Sequence, residues 1–164
     1  MHRKLALTAV LAVALAITGY AQKKDFSGTW TMDQAATEAA NPAPAGGTGG
    51  GGGGGGMRGG GAGPMTIKQT ADTLTIERQG PNGAISTVYK LDGTESEVPA
   101  GRGGTGKAKA KWDGDKLVID ITRAGQDGTP MTTSAIYSLD DKGMLWIENK
   151  TANGSRKVAY KKTT

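Results

Sequence analysis

The sequence predicts an all-β protein, an antiparallel up-and-down meander of eight to nine strands closing into a barrel. Three observations predict it. From Met65 onward apolar residues alternate with polar ones, and turn signals recur at regular spacing. The connections are short hairpins, which force chain neighbours to lie antiparallel. A long meander leaves two bare edges unless it closes on itself. A two-sheet sandwich stays open as the other closure, because alternation alone does not fix it.

The elements follow in order. Residues Met1 to Ala21 read as a secretory signal: basic His2-Arg3-Lys4, an apolar run from Leu5 to Ile17, and small Gly19 and Ala21 before a cut at Gln22. The apolar run is too short for a comfortable membrane span, no later segment supplies one, and no cysteine follows it to carry a lipid. The expected location is therefore periplasmic or extracellular. Cleavage leaves 143 of 164 residues, the size of one domain, and lowers the formal charge from +5 to +3. So mild a charge argues for neither a nucleic-acid nor a membrane partner.

Phe26-Ser27-Gly28-Thr29-Trp30 is an isolated strand. Met32 to Ala40 fits two turns of helix with Asp33 as cap, stopped by Asn41-Pro42. Gly46 to Gly63 has glycine at 14 of 18 positions and predicts an exposed flexible loop, since it has nothing to bury. The meander then runs Met65–Thr70, Thr73–Arg78 and Ile85–Leu91, with a polar loop from Asp92 to Gly106. It continues through Lys107–Trp112, Lys116–Thr122, Met131–Leu139, Met144–Asn149 and Ser155–Lys162. Met144–Asn149 is apolar on both faces, which predicts a cover: either the Ala35–Ala40 helix or a second subunit, giving a homodimer.

Phe26-Ser-Gly-Thr-Trp-Thr-Met32 resembles the opening strand of the calycins, the lipocalins and fatty-acid-binding proteins, with their Gly-x-Trp signature. Asp72-Thr-Leu-Thr-Ile-Glu, Trp112-Asp-Gly-Asp-Lys-Leu-Val118 and Val158-Ala-Tyr160-Lys161 are similar to later strands of fatty-acid-binding proteins in the same order. The resemblance implies a barrel with an interior for a small apolar ligand, and no catalysis in most members. It also implies closure by Gly28 and Trp30, with a basic side chain of the last strand against the tryptophan; Arg156 fits that role best and Lys157 second. Two features depart from the family pattern. One weak helix and a glycine run stand where fatty-acid-binding proteins place a helix pair, and Val158-Ala159-Tyr160 lacks the arginine of their Arg-x-Tyr.

The candidate ligand-binding residues are Tyr89, Trp112, Tyr137 and Arg78. Tyr89, Trp112 and Tyr137 are large inner-face residues among the small Thr87, Ala108, Ala110, Thr133 and Ala135, an arrangement that leaves room for an apolar or ring-bearing molecule. Arg78 shares a face with Leu74 and Ile76, pointing inward as an anion partner or lying at the strand end in water. A packed core is the competing reading, since small barrels are commonly filled by side chains. It would make the chain a cell-envelope structural or interaction protein with no small-molecule ligand.

No enzyme is expected. The only histidine is His2, in the signal, and there is no cysteine, which excludes histidine triads, thiol nucleophiles and the usual zinc sites. Asp113, Asp115, Asp140 and Asp141 fall in turns, where aspartate has a structural use. Gly101-Arg-Gly-Gly-Thr-Gly106-Lys107 has phosphate-loop glycines, but it opens a strand rather than a helix. Lys107, Lys109 and Lys111 form a basic row on an outer face. No cofactor or metal is expected.

Overall fold

The computed structural model describes residues 23–42, 64–80, 83–100, 104–125 and 127–163. The secretory signal and the glycine-rich loop lie outside these residues. Ten antiparallel strands form one sheet: β1 (Gly28–Asp33), β2 (Met65–Gln69), β3 (Thr73–Gly80), β4 (Gly83–Lys90), β5 (Glu95–Ala100), β6 (Gly104–Asp113), β7 (Lys116–Ala124), β8 (Pro130–Leu139), β9 (Leu145–Thr151) and β10 (Gly154–Lys162). A short helix, α1 (Gln34–Ala40), follows β1. The sheet order is β4-β3-β2-β1-β10-β9-β8-β7-β6-β5, so the meander wraps round and β1 closes the seam between β2 and β10. Only β4 and β5 are not paired, and β4 faces β5 and β6 across that gap. The result is a nearly closed up-and-down barrel.

Ten strands replace the expected eight to nine because β5 lies inside the stretch expected to be a polar loop. Glu95-Ser96-Glu97-Val98-Pro99 alternates, but Val98 is its only large apolar residue, and Ser96 supplies the other inward position. Pro99 lacks a donor, which an edge strand tolerates. At the gap, Ser96 Oγ accepts from the Lys90 amide at 2.9 Å, a side chain standing in for a missing ladder bond.

The helix is capped as expected. Asp33 Oδ1 accepts from the Ala36 amide at 3.1 Å, and Lys161 Nζ lies 2.7 Å from Oδ2. The Lys161 ammonium, then the Ala36 amide, hold the Asp33 carboxyl below the usual carboxylate range. α1 takes the place beside β10 that β1 leaves after the Asp33–Ala159 pair. Thr37 Oγ1 accepts from the Ala159 amide at 3.0 Å. The Asn41 side chain acts as a strand residue, donating to Lys157 C=O at 2.7 Å and accepting from Lys157 N–H at 3.0 Å. Asn41→Ala removes both of these bonds and the one the Asn41 amide donates to Thr37 C=O, and is expected to destabilise the protein by about 1–2 kcal/mol, read from urea unfolding. A change near zero would show that water replaces the amide without loss.

α1 thus covers β10 rather than the outside of β9. Trp146, on the outer face of β9, has its indole N–H on Asp140 Oδ2 at 3.1 Å and borders a surface groove with Ala40, Ile136 and Ser138.

Candidate ligand-binding site

The interior is packed at one end and, along β4, β7 and β8, less completely covered at the other. Alternation puts every second residue of each strand inside, so burial can be followed along single strands. On β7 the inward residues run from Leu117 (0% exposed) and Ile119 through half-buried Ile121 to exposed Arg123. On β8 they run from buried Tyr137 through half-buried Ala135 and Thr133 to Met131, which is 60% exposed. β4 passes from buried Tyr89 to Ile85 at 40%, and β10 from half-buried Tyr160 and Val158 to exposed Arg156. The gradients on β4, β7 and β8 rise toward the same end, opposite the β2–β3, β4–β5, β6–β7 and β8–β9 turns, whereas β10 is exposed at both ends and Met65, Val98 and Gly106 on β2, β5 and β6 stay buried at that end.

The closed end is filled by the segment before β1. Phe26 is 0% exposed, stacked on Trp112 with centroids 5.8 Å apart and planes within 7°, and set edge-on to Tyr137 at 6.1 Å. Gln69 clamps this segment through its side chain, accepting from Phe26 N–H and donating to Lys24 C=O. Trp30 is buried beside it and donates from Nε1 to Phe26 C=O at 2.9 Å. Gly28 has φ +140°, a backbone conformation a side chain would strain, and a Cβ there would stand 2.5 Å from Lys162 Cε.

Of the sequence-predicted binding residues, Tyr89, Tyr137 and Arg78 converge. Arg78 lies on the inner face, half-buried, with Nη2 3.1 Å from the Met65 sulfur. Burial raises the Tyr89 and Tyr137 hydroxyls above the ordinary tyrosine range, and the Arg78 charge opposes that shift at both. The Tyr89, Tyr137 and Tyr160 hydroxyls have no hydrogen-bond partner among the described residues. Yet the only enclosed side-chain polar atom lacking one there is Trp112 Nε1. Trp112 belongs elsewhere, in the floor with Phe26, where Lys23 Nζ lies 5.9 Å from its ring centroid.

The expected cation over Trp30 is corrected. Lys162, its partner in the β1–β10 register, stands 5.6 Å from the ring centroid, whereas Arg156 pairs with Asn149 further along β10. Lys157 faces outward beside Glu148 in that register, on the other side of the sheet from Trp30. Sequence reasoning also missed Arg123. It continues the Leu117, Ile119, Ile121 alternation one step beyond the expected strand end, and its stem lies over Gly106, where a Cβ would come within 2.9 Å of Arg123 Cγ.

The remaining candidates have local explanations. Asp140 accepts from the Lys142 and Met144 amides in its turn. The lysine row faces Glu95, which pairs with Lys107 at 2.8 Å and Lys109 at 4.0 Å. Gly104 to Lys107 run within β6, without the helix start a phosphate loop needs; residues 101–103 lie outside the described residues. Among the described residues no group of three or more His, Cys, Asp or Glu could hold a metal, and no helix is long and apolar enough to cross a membrane.

No protein-family model matches the chain, and no curated protein matches it. Among solved structures, one described as the REP1-NXSQ fatty acid transporter is similar, with a TM-score of 0.56 and 17% identity over 84% of this chain and 96% of that one. At that identity the likeness is one of fold.

Proposed function

We propose that this chain is an exported, non-catalytic carrier of a small apolar molecule, held in the less covered half of the barrel. The observation that carries the reading is the common direction of the burial gradients on β4, β7 and β8. They leave Ile85, Thr87, Ile121, Thr133 and Ala135 facing inward but incompletely covered, above a floor of packed aromatic residues. An apolar recess with a few convergent polar groups is the usual form of a small-molecule site. A fatty acid transporter with this fold is consistent with apolar cargo. Export rests on the pattern of residues 1–21, and the lack of catalysis on the absence of histidine and cysteine beyond them.

The test is direct titration with 1-aminoanthracene, an uncharged fluorophore, alongside mass spectrometry of an organic extract of the purified protein. Saturable binding at one site is expected. Ala135→Phe, which fills the recess from its wall, is expected to weaken it at least about tenfold, the effect of some 1.4 kcal/mol, with the fold retained. No saturable binding and no extracted molecule would favour a filled-core envelope protein. N-terminal sequencing of the secreted form checks the cut before Gln22.

A further inference from the structure

The edges of the sheet are β4 and β5, and only β5 is guarded. β5 carries Pro99, which has no donor to offer, and Glu95 and Glu97, whose charges disfavour strand addition. β4 has no proline, and no charged residue between Gly83 and Tyr89. It also holds Ile85 and Val88, 40% and 48% exposed, which with Met131 are the large apolar residues left exposed among the described residues. The parity of the β4 backbone is set by the Lys90 amide, which faces the gap and donates to Ser96 Oγ. In an antiparallel ladder alternate residues turn both backbone groups to the same side. Ala84, Ser86 and Val88 therefore point their N–H and C=O groups into the gap, while Ile85, Thr87 and Tyr89 are the ladder partners of Arg78, Ile76 and Leu74 on β3. Among the described residues no hydrogen bond joins Ala84, Ser86 or Val88 to β5 or β6, and all three are exposed.

An edge of this kind is where a further strand adds. We propose that its occupant is a second copy of this chain: two β4 strands pair antiparallel about a two-fold axis at Ser86 and join two barrels into a dimer. The gap-facing residues are symmetric about Ser86. This register therefore sets Ser86 opposite the Ser86 of the second copy and Ala84 opposite its Val88, so that each of these backbone groups finds a partner on both copies. Ile85 falls opposite Thr87 of the second copy, and both exposed apolar residues of the strand are covered. No like charges meet within the paired stretch Ala84–Val88. Addition of β4 to β5 of the next copy is opposed by Pro99 and the two glutamates, so the contact closes as a dimer and does not run on as a filament. The second subunit expected against Met144–Asn149 is thereby moved to β4. This dimer is independent of the carrier reading.

The experiment is sedimentation equilibrium of the purified protein over about 1–300 µM, a span wide enough to show mass action. A reversible monomer–dimer equilibrium is expected. Ser86→Pro removes the central gap-facing donor without touching a β3 ladder bond, and is expected to leave a monomer. Val88→Lys is expected to raise the dissociation constant at least about tenfold. Both positions are exposed, so these variants are expected to keep the fold, checked by thermal melting. Met131→Lys removes the exposed apolar residue that lies away from β4, and is expected to leave the dimer unchanged. The chain has no cysteine, so a Ser86→Cys thiol has only its symmetry mate to pair with. Residues opposed in this way have Cα atoms about 5.5 Å apart, within disulfide reach, so cross-linking under copper phenanthroline is expected for Ser86→Cys and not for Met131→Cys. A monomer across the whole range would overturn the proposal and leave the edge to a strand of another protein. A dimer that survives both Ser86→Pro and Val88→Lys would overturn it by placing the interface elsewhere. Assemblies that keep growing with concentration would overturn the two-fold closure, since they need head-to-tail contacts.

Discussion

Trp30→Ala is expected to destabilise the protein by about 3–5 kcal/mol, the range for truncating a large buried aromatic residue. Trp30 is 1% exposed, so its removal opens a void in the floor of the barrel. It also leaves Phe26 C=O without its indole donor and Lys162 without the ring beneath its ammonium. The position magnifies the loss, because β1 is the strand that joins β2 to β10. Against a total stability of about 5–15 kcal/mol for a domain, such a change takes about a fifth or more. The melting temperature is expected to fall by about 10 °C, at roughly 2–4 °C per kcal/mol for a chain near this size. Trp30→Phe keeps most of the apolar volume and is expected to lose about half as much. A loss below about 1 kcal/mol for the alanine variant would show that the seam holds without the indole.

The fold was legible in the sequence where alternation was strong. Leu117, Ile119 and Ile121, or Ala108, Ala110 and Trp112, announce their face without help from the rest of the chain. β5 was hidden because its inward residues are Ser96 and Val98, too little apolar surface to mark a strand. The site was legible only in part. Tyr89 and Tyr137 could be placed inside by period two, but the height of a residue along the barrel depends on register between strands. Register moved Lys162 over Trp30, put Arg156 at the mouth and put Trp112 in the floor. Alternation specified which side of the sheet a residue faces; closure and register specified what it faces.

Phe26→Ala is the second large effect expected, about 3–4 kcal/mol, and it separates the floor from the mouth. Phe26 precedes β1, so its removal breaks no ladder bond, yet it is fully enclosed and contacts both Trp112 and Tyr137. Each aromatic contact adds about 0.5–1.5 kcal/mol beyond simple burial. Its loss exposes Trp112 from below, so the emission of that tryptophan is expected to shift to the red and to become more accessible to acrylamide, best read against a Trp112→Phe control. Phe26→Leu fills the space without the stacking geometry and is expected to recover all but about 1–2 kcal/mol. With the cargo in the less covered half, as proposed, 1-aminoanthracene affinity in the folded Phe26→Ala variant is expected to stay within about twofold, since additivity holds for separated sites. Strong loss of probe binding with a folded variant would place the ligand against Phe26 and Trp112. The barrel would then be loaded at the end that the structure closes.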